Sequence, residues 1–447
     1  MDTLNEPAVM TLTSVQPKPM GAYRVVHTAD WHLGKMLGEH SRAEEHARFL
    51  RFLLQSIGEQ AVDLLIVAGD IFDSANPPQS AEAQYYNFLS ELFSQGGCAV
   101  IVVAGNHDSP AHLEAPRQIL KALGAHVMGA WPSIPNEVIV PLPDAKSPQL
   151  VVAAVPFLRD RDVRTGQSGQ SSAEIQQALV EGITRRYAEA AEAAKPWSEQ
   201  GIPLLAIGHL TVNGATPSAS ERAIHVGGLG AVSGDCFPAV FDYVALGHLH
   251  RPQSAGGREQ VVYAGSPIPL SFGEVEDQKS VRLLDFAGGK LISQTTLPVP
   301  VARRLAQICT SRQTLDADMA AFQPGASELA AWVEVVIADP VAGENLYGRA
   351  QELAAGRGFE VIRVVNTSSP VASGPGASDP GSITNSVNLL AEPAKVFAHR
   401  LAQEQALTPE EREGLVTVFQ ELLNLHTERG RAPEVAGVTI KGDGGAA

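Results

Sequence analysis

A chain of 447 residues is too long for one ordinary core and enough for two or three domains, and its 44% hydrophobic and 18% charged residues are a globular composition. No apolar stretch approaches the roughly 20 residues of a bilayer span, and the first 22 residues lack the charged-then-apolar start of a secretory signal. A net charge of −16, with 21 Lys+Arg against 31 Asp+Glu up to residue 300 and 12 against 18 after it, argues against strong autonomous binding of nucleic acid. A DNA-facing role would then need a local basic patch, bound metal ions or a basic partner. Three scattered cysteines (Cys98, Cys236, Cys309) suit neither a disulfide framework nor a zinc ribbon, and buried thiols in a reducing cytoplasm are expected.

In chain order, residues 1–22 read as a disordered extension. From Tyr23 to about residue 300, short apolar runs alternate with amphipathic stretches, the pattern of an α/β domain. The expected strands are 23–30, 63–70, 99–105, 149–155, 202–209, 241–248, 260–264 and 280–286. Ala47, Leu50, Leu54 and Ile57 recur at helical spacing between the first two, and PPQSAEAQYYNFLSELF is a proline-led helix between the next two. Residues 301–365 read as a small α+β unit, with helical pieces near 315–322 and 345–356. A Ser/Gly/Pro-rich linker follows at 366–390. Residues 391–428 then form two helices, the second marked by Thr408, Pro409 and Glu411 and by an apolar stripe of Leu415, Val418, Phe419 and Leu422. With little local core to join, this pair suits partner binding. Residues 429–447 read as a disordered tail.

Five of the apolar runs end in metal-capable side chains, several straight after glycine. TADWHLG offers Asp30 and His32, and VAGDIFD offers Asp70 and Asp73. AGNHD offers Asn106, His107 and Asp108; IGHL offers His209; LGHLH offers His248 and His250. Carboxyl ends of strands in an α/β sheet converge on one crevice. Asp-x-His and His-x-His on an extended segment would put both side chains on one side. Oxygen and imidazole ligands without thiolate suit Mn²⁺, Fe²⁺ or zinc. Seven ligands exceed one tetrahedral zinc and suit two ions sharing a carboxylate bridge. Taken singly, each motif reads as a strand cap or a turn; five in series do not. The remaining histidines, among them His27, His40, His112, His126, His225, His399 and His426, read as structural or solvated, with His46 a potential support of the site.

This series resembles the calcineurin-like metallophosphoesterase superfamily and, within it, the nuclease subunits of SbcCD-type bacterial exonucleases. The resemblance rests on HTADWHLGK, VAGDIFDSANPP, VAGNHDSPAHL, LGHLHRPQ and YAGSPIPLSFGEVEDQKS, and extends from residue 23 to about 425. It implies a β-sandwich flanked by helices, a capping domain and a C-terminal helical pair. It also implies two divalent ions, Mn²⁺ first, with Mg²⁺ or other divalent ions as alternatives. Asp30, His32, Asp70 and His250 would hold the first ion, and Asp70, Asn106, His209 and His248 the second, with Asp70 as bridge. His107 would position the phosphate or protonate the leaving oxygen, and Asp73 would orient His107; Asp108 reads as a structural turn residue. The implied activities are 3′→5′ exonuclease and single-strand or hairpin endonuclease, in a homodimer bound through residues 391–428 to a coiled-coil ATPase of SbcC type. No nucleotide-binding Gly-x-x-x-x-Gly-Lys-Ser/Thr loop is present, so ATP dependence would belong to that partner. A phosphoesterase for nucleotides or phosphoproteins and a non-catalytic scaffold are the alternatives; the extra architecture disfavours the former, and the intact Asp70, Asn106 and His107 disfavour the latter.

Overall fold

Runs such as LLIVA and AVIVV have no polar face, as strands covered on both sides require. In the computed structural model they lie at the centre of two stacked six-stranded sheets. The structure describes residues 17–165, 170–218, 221, 231–338, 345–366, 397, 401, 412 and 414–420. It divides into two units, Met1–Pro370 and Val371–Ala447.

The first sheet runs, edge to edge, Lys290–Pro298, Ser280–Ala287, Tyr23–Thr28, Leu64–Ala68, Ala99–Val103 and Ala125–Met128. Its last four strands are parallel. The second runs Gln253–Ala255, Arg258–Tyr263, Tyr243–Gly247, Leu204–His209, Leu150–Ala154 and Ile139–Leu142, with its middle four strands parallel. Alternation sends Val25, Ile66 and Ile101 inward, into a core shared with the second sheet and with Leu179, Ile183 and Tyr187 of helix Ser172–Ser198. Val26, Leu65, Val67 and Val100 point outward, under Phe49 and Leu53 of helix Ala43–Glu59 and Phe88 and Leu92 of helix Gln79–Gln95. The result is four layers: helices, sheet, sheet, helix. Four short or edge strands of these sheets escape the sequence reading. Lys290–Pro298, for instance, carries Ser, Gln and Thr on an exposed edge and pairs only with Ser280–Ala287.

His27 shows how completely the layers close. Its Nδ1 lies 3.1 Å from the Tyr243 hydroxyl and its Nε2 3.2 Å from the Leu246 carbonyl, between the sheets. Burial, reinforced by Arg282, lowers its pKa to about 3. The unfolded chain therefore binds a proton that the folded chain refuses, so this group's contribution is complete above about pH 6.5 and is lost as pH falls. Denaturant unfolding should show wild type losing about 1.4 kcal/mol more per pH unit than His27→Gln between pH 6 and 4; parallel pH profiles would contradict this.

The smaller unit differs from the α+β arrangement expected. Its strands Arg303–Thr310, Leu329–Ile337 and Phe359–Asn366 are all parallel, and helices Leu315–Ala321 and Leu346–Ala354 carry the two crossovers. Parallel strands need such long connections, so this is a βαβαβ unit with its own core. Cys309 also departs from expectation: Cys98 and Cys236 are buried, but Cys309 is exposed. It lies on an edge strand, where Ala306 and Ile308 face the core and Gln307 and Cys309 face outward. Residues 17–22, read as part of the extension, are engaged, since Lys18 pairs with Asp63.

In the second unit Phe397 stacks on Phe419 at 4.0 Å, while Leu415 and Val418 of the apolar stripe are exposed. Leu422, the Thr408–Glu411 cap, residues 1–16, the linker from 367 to 390, the tail and His225, His399 and His426 lie outside the described residues. Among the described residues no helix is long and apolar enough to cross a membrane.

Candidate metal centre

The ligand-bearing strands lie side by side in their sheets, so their carboxyl ends face one crevice. Strand pairing stops at Thr28, Ala68, Val103 and Gly247, and every candidate metal ligand but His209 lies one to four residues beyond. There the backbone is far from extended. Asp30, His32, Asp70 and His248 all have positive φ, at 53°, 48°, 49° and 102°; Ala61 is the one other non-glycine residue of this kind among those described. Non-glycine residues avoid this region, and such strain collects where surrounding structure enforces a functional geometry. It also corrects the period-two argument: Asp30 and His32 converge through a left-handed turn, and His248 and His250 leave their strand on a left-handed residue.

Two glycines show why the motifs read Gly-Asp and Gly-Asn-His. Gly69 has φ +92°, and a β-carbon there would collide with the His209 ring; one at Gly105 would collide with the Asp70 carboxylate. Gly69 makes room for a ligand from the facing sheet and Gly105 for one from the paired strand.

The side chains form interlocking groups. Asp30, His32 and His250 converge, as do Asp30, Asp70 and His209, and as do His32, Asp73 and His107. Asp70 Oδ2 lies 3.5 Å from His32 Nε2 and 3.4 Å from His209 Nε2, while its Oδ1 accepts the His107 amide at 2.8 Å. Asn106 Oδ1 is 2.9 Å from His209 Nε2, and the His248 ring is 5.4 Å from that of His209. Asn106 is half-buried and His107 is the most accessible of the site's histidines, so these two stand at the mouth.

Hydrogen bonds on the far side of the rings set the tautomers. His32 Nδ1 faces Asp73 Oδ1 at 3.2 Å, His209 Nδ1 faces the Ala68 carbonyl at 3.0 Å, and His250 Nδ1 faces Glu274 Oε1 at 3.3 Å. Each partner is an acceptor, so Nδ1 carries a proton and Nε2 is the atom turned to the site, the arrangement a metal ligand needs. His209 Nε2, which also faces the acceptors Asn106 Oδ1 and Asp70 Oδ2, would give up its proton to a cation. Asp30 Oδ2 and His32 Nε2 are buried with no hydrogen-bond partner. Unsatisfied buried polar atoms are costly, and two in one ligand set are what a cation would satisfy. The residues present therefore fit a divalent metal group.

The charges agree. Burial pushes Asp30 up to about 7, against the opposing pull of His209 and His250. Burial alone would lower His209, but Asp70 overrides it and raises it to about 9; His209 and His32 in turn hold Asp70 well below its usual range. Burial keeps His32 at about 4, and burial with the neighbouring His209 holds His248 well below normal, so both are neutral and ligand-competent. Bound cations invert this logic by favouring every carboxylate in the site.

Asp73 does not meet His107 through its carboxylate. That group bonds His32 and, at 3.0 Å, Lys35, while the Asp73 main-chain carbonyl lies 2.7 Å from His107 Nδ1. Asp108 accepts amides from Gly105, Ile71 and Phe72, tying two ligand loops together. Among the described residues His46 is buried in the first helix and joins none of the ligand groups. Glu274 went unassigned in the sequence, where it is one acid in a loop without periodicity; only the fold brings it to His250.

Residues 23–252 match the family model of the calcineurin-like phosphoesterases. The Escherichia coli K12 protein described as the D component of the nuclease SbcCD is 39% identical over 342 residues, 76% of this chain and 84% of its own. Proteins of the same description from Rhodobacter capsulatus (40% over 294 residues, 62% of this chain and 70% of theirs) and Bacillus subtilis (36% over 268, 60% and 67%) are also similar. With its ligand groups at the carboxyl ends of five sandwich strands, the chain belongs to the calcineurin-like phosphoesterase family, in the branch of the SbcD nucleases, and is a metal-dependent hydrolase of phosphodiester bonds.

Proposed function

We propose that this chain is the nuclease subunit of an SbcCD-type complex, hydrolysing DNA phosphodiesters with two Mn²⁺ ions. Its activities are 3′→5′ exonuclease on duplex ends and endonuclease on hairpins and single strands, in DNA end processing during replication, recombination and repair. The observation that supports this best is the placement of Asp70 Oδ2 between His32 Nε2 and His209 Nε2, which suits a shared bridging oxygen. Asp30, His32 and His250 would complete one site; Asn106, His209 and His248 the other. When bound, the ions supply an activated water and neutralise the attacked phosphate, charge that this acidic chain lacks.

The protein's own groups do the rest. The Asp73 carbonyl fixes the proton on His107 Nδ1 and leaves Nε2 to exchange a proton at the mouth. In this reading His107 protonates the departing 3′ oxygen, and Asp73 acts as a positioning residue through two contacts, carbonyl to His107 and carboxylate to His32. Rates on a hairpin DNA and on a small chromogenic diester, each with Mn²⁺, test the substrate: preference for the small diester would favour a nucleotide or phosphoprotein phosphoesterase.

Residues 391–428 are the proposed docking element for a coiled-coil ATPase, supported by the exposed Leu415 and Val418. Deleting them should preserve Mn²⁺-dependent cleavage of simple substrates and abolish co-purification with the ATPase; retained co-purification would sink this assignment. Homodimerisation through the nuclease domain finds support in Ile119 and Leu123, four residues apart and 70% and 53% exposed.

A further inference from the structure

The turn Phe272–Glu274 has one end in the metal centre and the other in the βαβαβ unit. Glu274 is fully buried and faces His250 Nδ1 at 3.3 Å through Oε1. Its Oε2 accepts from Lys279 Nζ at 2.6 Å and from the Leu270 amide at 3.2 Å. Lys279 Nζ also donates to the His250 carbonyl at 2.9 Å. Ring and backbone of His250 are therefore clamped by one short segment. Two residues before Glu274, Phe272 buries its ring in an apolar cluster with Leu305 and Trp332, both from strands of the βαβαβ unit. Arg303 stacks on Trp332 at 4.0 Å and bonds Glu45 of the first helix at 2.8 Å. The neighbouring Arg42, buried beside it, reaches the Pro269 carbonyl at 2.7 Å, at the base of the same loop.

From this juxtaposition we infer that Glu274 is a positioning residue for His250, and that through Phe272 the metal centre senses whether the βαβαβ unit is seated. A carboxylate behind an imidazole fixes ring orientation and raises ligand basicity, and its loss typically costs about 10–100-fold in metal affinity. Buried clusters are close-packed, so displacing Trp332 shifts Phe272 and its turn instead of being absorbed locally. Movement of the small unit on DNA or on a partner would thereby tune one ion site without touching a ligand. The inference rests on the reading of His250 as a metal ligand.

The test is calorimetric titration of Mn²⁺ into metal-stripped full-length protein, without substrate. Glu274→Gln should weaken one Mn²⁺ site about 10–100-fold and spare the other. Trp332→Ala should weaken that same site several-fold, and Trp332→Phe, which keeps a ring against Phe272, should restore it. Phe272→Leu, which trims the contact without emptying the cluster, is the second route should Trp332→Ala unfold, and must weaken that site as well. A site unmoved in Phe272→Leu, or in a folded Trp332→Ala, overturns the coupling; one unmoved in Glu274→Gln overturns the positioning role. An unchanged isotherm in His250→Ala instead overturns the ligand reading itself, and that variant alone reports it.

Discussion

Exchanging His107 for Gln should remove DNA cleavage by about 10²–10⁴-fold, the usual worth of a positioned general acid, while both ions stay bound. The reason lies in how the loop Gly105–Asp108 divides its labour. Asn106 Oδ1 points to His209, the His107 amide holds Asp70 Oδ1, and Asp108 ties the loop to Ile71 and Phe72. Only the His107 ring stands outside this work, fixed by the Asp73 carbonyl and accessible at the mouth. Removing the ring leaves the amide, and hence Asp70, in place. Elemental analysis for Mn should match wild type, and the deficit should appear in the single-turnover rate at saturating DNA, that is, in kcat more than KM. Full turnover with Mn²⁺ present would end the assignment; Mn lost in step with activity would make His107 a ligand instead.

The opposite pattern is expected for Asp70→Asn: both ions lost, and activity with them. Asp70 Oδ2 sits within 3.5 Å of histidines from two different groups, so its loss reaches both. In the metal-free protein its charge raises His209 to about 9; without it that ring reverts towards the neutral form burial prefers. The substitution keeps shape and neutralises the charge, so the sandwich should still fold. Thermal unfolding with and without Mn²⁺ separates binding from folding. Wild type should gain about 2.7 kcal/mol for each site at Mn²⁺ a hundred times that site's dissociation constant, and Asp70→Asn nothing. A metal-dependent rise in the variant's midpoint equal to wild type would rule Asp70 out as the shared oxygen.

Glycines were legible beside the ligands, and their purpose was not. VAGD and AGNHD announce a turn after a strand, but the reason Gly105 cannot carry a β-carbon is Asp70, 35 residues earlier and one strand away. Asp73 shows the same limit more sharply. Its place three residues after Asp70 pointed to His107, and it does reach that ring, yet through its carbonyl, while its carboxylate serves His32 and Lys35. Which atom of a residue makes a contact depends on backbone direction, which side-chain spacing does not encode.

By itself the sequence determined the alternation of strands and helices, the five ligand-tipped runs and the family, because these depend on local apolar periodicity and on residue types at short fixed spacings. The left-handed turns at Asp30, His32, Asp70 and His248, the parallel order of the small unit and the burial of Glu274 against His250 were decided only by tertiary structure. The physical reason is that each depends on groups remote in sequence. Four positive-φ residues gathered in one site are held there by the surrounding strands, and the buried Glu274 carboxylate persists because the His250 imidazole from another segment and Lys279 meet it.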